Sequence, residues 1–110
     1  METYINKVIL QGKVGAAKDG SIANTATKRF SLVTNRVYKD RTASIVIEST
    51  WHTCVAFESE DITKEQLEAI KTETTVRVEG RLRNQRYTDA KGCEKVTTEV
   101  LAEKISVIKD

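Results

Sequence analysis

A chain of 110 residues, 39% of them hydrophobic and 31% charged, has room for one modest core and little for a second domain. No apolar run approaches the ~20 residues needed to cross a bilayer. The opening METYINKVIL has neither the basic-then-apolar order of a secretory signal nor the Arg- and Ser-rich character of an import leader, so a cytoplasmic protein is expected. The net charge is only +2 but unevenly spread. Lys28, Arg29, Arg36, Lys39 and Arg41 face Asp40 alone within residues 28–41. Arg77, Arg81, Arg83, Arg86 and Lys91 face Glu79 and Asp89 within residues 77–91. The remainder is net acidic. Such segregation suggests a basic surface for a polyanion, although cations decorating solvent-facing strand positions would give the same count.

In chain order, Tyr4 to Val14 places Val8, Leu10, Gly12 and Val14 on one side of an extended segment, a strand periodicity. Asp19-Gly20 marks a turn. A second strand, about Ala26 to Asn35, alternates Phe30, Leu32 and Thr34 with Ser31 and Val33. Lys39 to Ser44 is polar and reads as a hairpin tip. Ile45 to Phe57 is a long β-branched and aromatic run, the third strand. A short helix follows over about Lys64 to Lys71. Thr63 is its expected N-cap, Gln66 completes a capping box, and Ile62 is placed to staple onto Leu67.

The fourth strand, Thr75 to Tyr87, alternates most clearly. Val76, Val78, Gly80 and Leu82 face one way, while Arg77, Glu79, Arg81, Arg83 and Tyr87 face the other. A turn at Asp89 to Gly92 leads to a last strand, about Lys95 to Ile108. Its apolar phase shifts between Val96, Val100 and Leu101, Ile105, Val107, as a β-bulge would allow. Three strands, a short helix and two more strands would curl into a barrel rather than lie flat under one small helix. The expected class is therefore all-β, a five-stranded OB-fold barrel with a helix between strands 3 and 4, formed by residues 1–110 as one domain.

Holding single-stranded nucleic acid takes cations for phosphates and flat aromatic faces for unstacked bases. Tyr38 lies between Arg36 and Lys39, and Tyr87 follows Arg86 on the basic strand, so both are candidates for an exposed role. Trp51 and Phe57 share a strand face with Ile45, Ile47 and Val55, a pattern that favours core packing over a platform.

Five segments in order carry a resemblance to the bacterial single-stranded-DNA-binding proteins. They are Asn6-Lys7-Val8-Ile9-Leu10-Gln11-Gly12; Trp51-His52 with an apolar strand ending at Phe57; Val78-Glu79-Gly80-Arg81-Leu82-Arg83; Tyr87-Thr88-Asp89 with Gly92; and Thr97-Thr98-Glu99-Val100. The resemblance implies sequence-independent binding of single-stranded DNA in replication, recombination and repair, in the bacterial cytoplasm near the nucleoid. It implies a homotetramer with the dimer as building unit, stacking at Tyr38, Trp51, Phe57 and Tyr87, and His52 at a subunit contact. Two of the stacking positions are Tyr where such proteins commonly have Trp, which implies weaker stacking. Phosphate contacts are expected from Arg36, Lys39, Arg41, Arg81, Arg83 and Arg86. Such proteins usually carry a tail with an acidic, hydrophobic tip for protein partners. This sequence stops at Ile108-Lys109-Asp110, as either a truncated or a tail-less member would, which puts partner recruitment by that route in doubt.

Other classes fit less well. His52 and Cys54 share a strand face, but neighbours two apart on a strand stand about 7 Å from each other, beyond the reach of a nucleophile and its base. No Gly-rich phosphate loop, zincin motif or nucleophile elbow is present, so no enzyme is expected. Cys54 and Cys93 fit no paired-spacing motif, and one histidine gives too few soft ligands for zinc, so free thiols without metal or cofactor are expected. The closer rival is an accessory OB protein of the primosomal replication protein N type, acting mainly through protein contacts. An RNA-binding OB domain is a further alternative.

Overall fold

A computed structural model describes residues 3–108; Lys109 and Asp110, named above at the chain end, lie outside them. Five strands and one helix follow in order: β1 Val8–Ile22, β2 Thr25–Lys39, β3 Ile45–Phe57, α1 Lys64–Ala69, β4 Thr75–Thr88 and β5 Glu94–Ile108. They close into a barrel in the order β1-β2-β3-β5-β4, the expected OB arrangement with its helix between β3 and β4. All pairings are antiparallel except β3 with β5. That parallel seam is short, with Cys54 opposite Val100 and Val55 opposite Leu101.

Alternation along each strand fills the interior. Val14 from β1, Phe30 and Leu32 from β2, Cys54 and Ala56 from β3, Val76 and Val78 from β4, and Val100, Ala102 and Ile105 from β5 form one buried cluster. Ile62, Leu67 and Ile70 join it from around α1 and close one end of the barrel. The helix starts where its capping box dictates. Thr63 Oγ1 accepts from the Gln66 amide at 3.2 Å, and Gln66 Oε1 accepts from the Thr63 amide at 2.9 Å. Gln66 Nε2 also donates to the Ile105 carbonyl at 3.1 Å, tying the helix to β5.

Two expectations at the strand ends need correction. The Asp19-Gly20 turn is not a turn: β1 runs through it, with Gly20 opposite Thr27, and reverses at Ala23-Asn24. Both of those residues have positive φ, 50° and 66°, the backbone of a two-residue type I′ hairpin. Nor does the first strand begin at Tyr4; pairing starts at Val8, opposite Gly80. The phase shift on β5 is real, and the register slips between Glu79 and Gly80 so that Glu103 is the extra residue. The core positions flanking it are Val100, Ala102 and Ile105, whereas Leu101 belongs to the outer surface and Val96 is exposed. Gly80 allows this close packing: a Cβ there would collide with the Leu101 carbonyl.

β2–β3 and β4–β5 extend past the barrel as two-stranded arms, and both tips use one device. Asp40 accepts from the amides of Thr42 and Ser44 at 2.8 and 3.0 Å, and Asp89 accepts from those of Lys91 and Cys93, both at 2.9 Å. An aspartate at the first turn position bonds the amides two and four residues on and fixes the tip without a core.

Candidate nucleic-acid interface

β3 supplies the outer surface on which the candidate site is built. Its register with β2 is unbroken from Thr27–Phe57 to Lys39–Ile45, so alternation can be followed along its whole length. His52, Cys54 and Ala56 point inward; Trp51, Thr53, Val55 and Phe57 point outward. This overturns the core placement that the apolar pattern favoured for Trp51, whose residue surface is 60% exposed. Ile45 and Ile47 are exposed beside it on the arm, Phe57 is half-buried, and only Val55 of that face is covered. The narrow interior takes the small Cys54 and Ala56, which leaves the large side chains of β3 outside.

The indole of Trp51 is seated rather than loose. Its six-membered ring lies over Gly15 of β1, where a Cβ would stand 2.5 Å from Cζ3 and 2.9 Å from Cη2. Ser31 Oγ borders the same spot and accepts from the Ala16 amide at 2.9 Å. Gly15 thus makes a notch that holds the ring against the sheet, while much of the indole remains open to solvent. The notch falls where the β1–β2 register shifts, between Val14 and Ala17.

The other two aromatic candidates are also accessible, Tyr38 at 41% and Tyr87 at 44%. Tyr38 does not share the outer surface of Trp51; Tyr87 does, but at a distance. Tyr38 is on the even-numbered face of β2, opposite Val46, whereas Trp51 pairs with Val33 on the odd-numbered face. Tyr87 lies far out on the β4–β5 arm, opposite Lys95, in the same alternation as Arg81 and Arg83. Trp51 and Phe57 are the pair that β3 itself carries on the outer face. Six residues of strand separate them, about 20 Å.

The cations divide into two groups. Arg36, Lys39 and Arg41, on the β2–β3 arm and its tip, have no ion-pair partner among the described residues. The β4 candidates are paired: Arg81 with Glu103 at 3.3 Å, Arg83 with Glu99, and Arg86 with Glu94 at 3.7 Å. Strand register supplies each partner from β5, which counting charges along β4 alone does not show. Lys28 is not part of the basic surface either; it points into the barrel and pairs with Asp19 at 2.8 Å. Arg29, absent from the candidates above, is on the outer face and binds Glu99 at 2.9 Å.

The remaining candidates are quieter. His52 is half-buried, and its Nε2 shares a hydrogen bond with Thr34 Oγ1 at 2.9 Å. Burial pushes the Cys54 thiol up to about 12, so Cys54 stays protonated and inert in the core. Cys93 is exposed on the β4–β5 tip.

Residues 5–108 match the model of the single-strand binding protein family. Among curated proteins, the single-stranded DNA-binding protein of Xanthomonas campestris is 36% identical over a 111-residue alignment covering 98% of this chain and 63% of the relative. The chain therefore spans less than two thirds of that relative's length. The single-stranded DNA-binding protein of Rickettsia felis is 36% identical over 106 residues, covering 92% of this chain and 68% of the relative. Among solved structures, a Plasmodium falciparum SSB complex with ssDNA superposes with a TM-score of 0.77 at 26% identity, covering 98% of this chain and 96% of that one. A small single-stranded DNA-binding protein from Streptomyces coelicolor shares the fold, with a TM-score of 0.69 at 18% identity over 93% of each chain.

Proposed function

The chain belongs to the single-strand binding protein family, and on that premise we propose that it binds single-stranded DNA without sequence preference, as one OB domain. The observation that carries this reading is Trp51. A large aromatic ring left 60% exposed and braced on a glycine notch is costly to a protein with no use for it, and is already oriented for a flat partner. Every base has a π face, so stacking on Trp51, and on Phe57 along the same face, contributes affinity without a sequence code. Tyr38 and Tyr87 add smaller platforms on the two arms, which requires the strand to pass around the arms rather than stay on one flat track.

Phosphates are met first by Arg36, Lys39 and Arg41, which form no ion pair among the described residues, although Glu48 stands opposite Arg36 in the register. Arg81 and Arg86 join them by exchanging exposed carboxylates for phosphate. Such exposed pairs are worth only about 0–1 kcal/mol, so the exchange costs little. Neutralising phosphates releases condensed counterions, which makes the binding salt-dependent. The role needs no catalytic group. A part in replication, recombination and repair, cytoplasmic location, and a homotetramer built from dimers with a subunit contact near His52 belong to the same proposal. Light scattering checks the last; a monomer mass would remove it.

Titration with poly-dT tests the stacking directly, because Trp51 is the one tryptophan in the chain. Its fluorescence is expected to be quenched on binding, and Trp51→Ala to weaken affinity by about 1–3 kcal/mol. An unquenched Trp51 in a saturated complex would remove it from the binding path.

A further inference from the structure

Midway between Trp51 and Phe57, the outer face carries a negative charge. Glu99 of β5 is on the sheet's outer side, yet its side chain is only 1% exposed, because two arginines cover it. Arg29 reaches it from β2, with Nη2 donating to Oε2 at 2.9 Å. Arg83 reaches it from β4, with Nε donating to Oε1 at 3.2 Å and Nη2 to the same oxygen. The carboxylate is thus shared, one oxygen to each guanidinium. Across the seam, Val55 is opposite both Arg29 and Leu101, so the cluster sits beside the centre of the Trp51–Phe57 track.

A buried carboxylate on a face that is to hold a polyanion is unfavourable by charge alone. Its geometry gives it a use. Arg29 spends only Nη2 on Glu99, and Arg83 keeps Nη1, so each has N–H groups with no acceptor among the described residues. Their side chains remain 54% and 36% exposed. Arg29 also lines two adjoining hollows, one bordered by Ser31 and Thr53 toward Trp51, the other by Val55 and Phe57. Two forked cations held at fixed positions lose less freedom on gripping an anion than two loose ones.

We propose that Arg29 and Arg83, held in place by Glu99, form a binding site for a single phosphodiester of the DNA strand between the bases at Trp51 and Phe57. Arg29 is then a phosphate-binding residue and Glu99 a positioning residue. The inference rests on the single-stranded-DNA reading above. A purely architectural role, in which the cluster only clamps the short β3–β5 seam, makes different predictions.

The test is fluorescence anisotropy of a labelled dT oligomer over a salt series, with wild type, Arg29→Gln, Arg29→Lys and Glu99→Gln, each shown folded by its thermal melt. Arg29→Gln is expected to weaken binding and lower the log–log salt slope by about 0.7, one phosphate's share on a single strand. Arg29→Lys keeps the charge but not the fork, and is expected to weaken binding too. Glu99→Gln raises the net charge by one. Charge alone would tighten binding, whereas loss of positioning weakens it, so the sign decides. Tighter binding by folded Glu99→Gln, or an unchanged affinity and slope in folded Arg29→Gln, overturns the proposal. Should Glu99→Gln fail to fold, the two Arg29 variants decide alone. Wild type that does not bind the oligomer sinks the function itself; wild type that binds while the Arg29 variants match it sinks only this site.

Discussion

Gly15→Ala perturbs the stacking ring without deleting it. The added methyl would stand 2.5 Å from Trp51 Cζ3 and 2.9 Å from both Cη2 and Ser31 Oγ. Carbon atoms in contact prefer about 3.5–4.0 Å, so something must move by roughly 1 Å. Ser31 is held by its hydrogen bond from the Ala16 amide, and the free end of the exposed indole is not, so the ring lifts. Driving a side chain off its rotamer costs about 0.5–1.5 kcal/mol. The variant should therefore lose about 1 kcal/mol of stability, a melting shift of about 4–8 °C. A displaced ring keeps part of its stacking. If half of a contribution of about 1–3 kcal/mol is lost, affinity falls roughly twofold to twelvefold. Anisotropy with a labelled dT oligomer measures this in wild type, Gly15→Ala, Trp51→Ala and the double variant. With the indole gone, the methyl has no ring to displace and only the Ser31 hydroxyl beside it, so Gly15→Ala should add no further loss of affinity to Trp51→Ala. Equal losses in both backgrounds, or wild-type affinity in the folded single variant, would refute the notch.

Lys39→Ala and Arg41→Ala, at an arm tip with no ion pair among the described residues, should each reduce the salt slope for single-stranded DNA by about 0.7; unchanged slopes in both would take the tip off the phosphate path. A thiol reagent should label Cys93 alone in the native protein and both cysteines after denaturation, since burial holds Cys54 protonated up to about 12; native labelling of Cys54 would contradict the closed core. At the β2–β3 tip, the hydrogen bond from the Thr42 side chain, then the amides of Thr42 and Ser44, hold Asp40 below its usual 3.8. A carboxyl lowered on folding stabilises fully above its unfolded value and loses that contribution as pH falls through its folded one. Amide signals of Thr42 and Ser44 should therefore hold at about pH 5 and loosen only below 3.8, and Asp40→Asn should lack this transition. Loosening already at about pH 5 would count against it.

Local rules that act within a few residues made much of the fold visible in the sequence. The capping box at Thr63 and Gln66 and the alternation from Val76 to Arg83 appear where the chain pattern put them, and the phase break on the last strand exists but falls at Glu103 rather than between Val100 and Leu101. The failures have physical causes too. Asp19-Gly20 is a good turn signal, but the hairpin forms at Ala23-Asn24, where alanine accepts a φ of 50° that it disfavours in isolation. Trp51 looked like core because its face of β3 carries Ile45, Ile47, Val55 and Phe57 while the opposite face carries Glu48 and His52, so the periodicity pointed to the face the barrel does not enclose. Glu99 lay within a segment of the resemblance, but nothing near it in the chain pointed to its partners. Its partners are 70 and 16 residues away, and only the closed barrel brings Arg29 and Arg83 onto one carboxylate. The same cause hid the carboxylates opposite Arg81 and Arg86, which strand register alone supplies.

Competition between a labelled dT oligomer and a duplex of equal length, followed by anisotropy at physiological salt, tests most directly whether exposed rings set among cations hold unpaired bases. The protein should stay on the dT oligomer, because a duplex offers phosphates but keeps its bases stacked on one another. Displacement by the duplex at the same concentration as by unlabelled dT would leave electrostatic attraction as the whole of the binding, and Trp51 without a part in it.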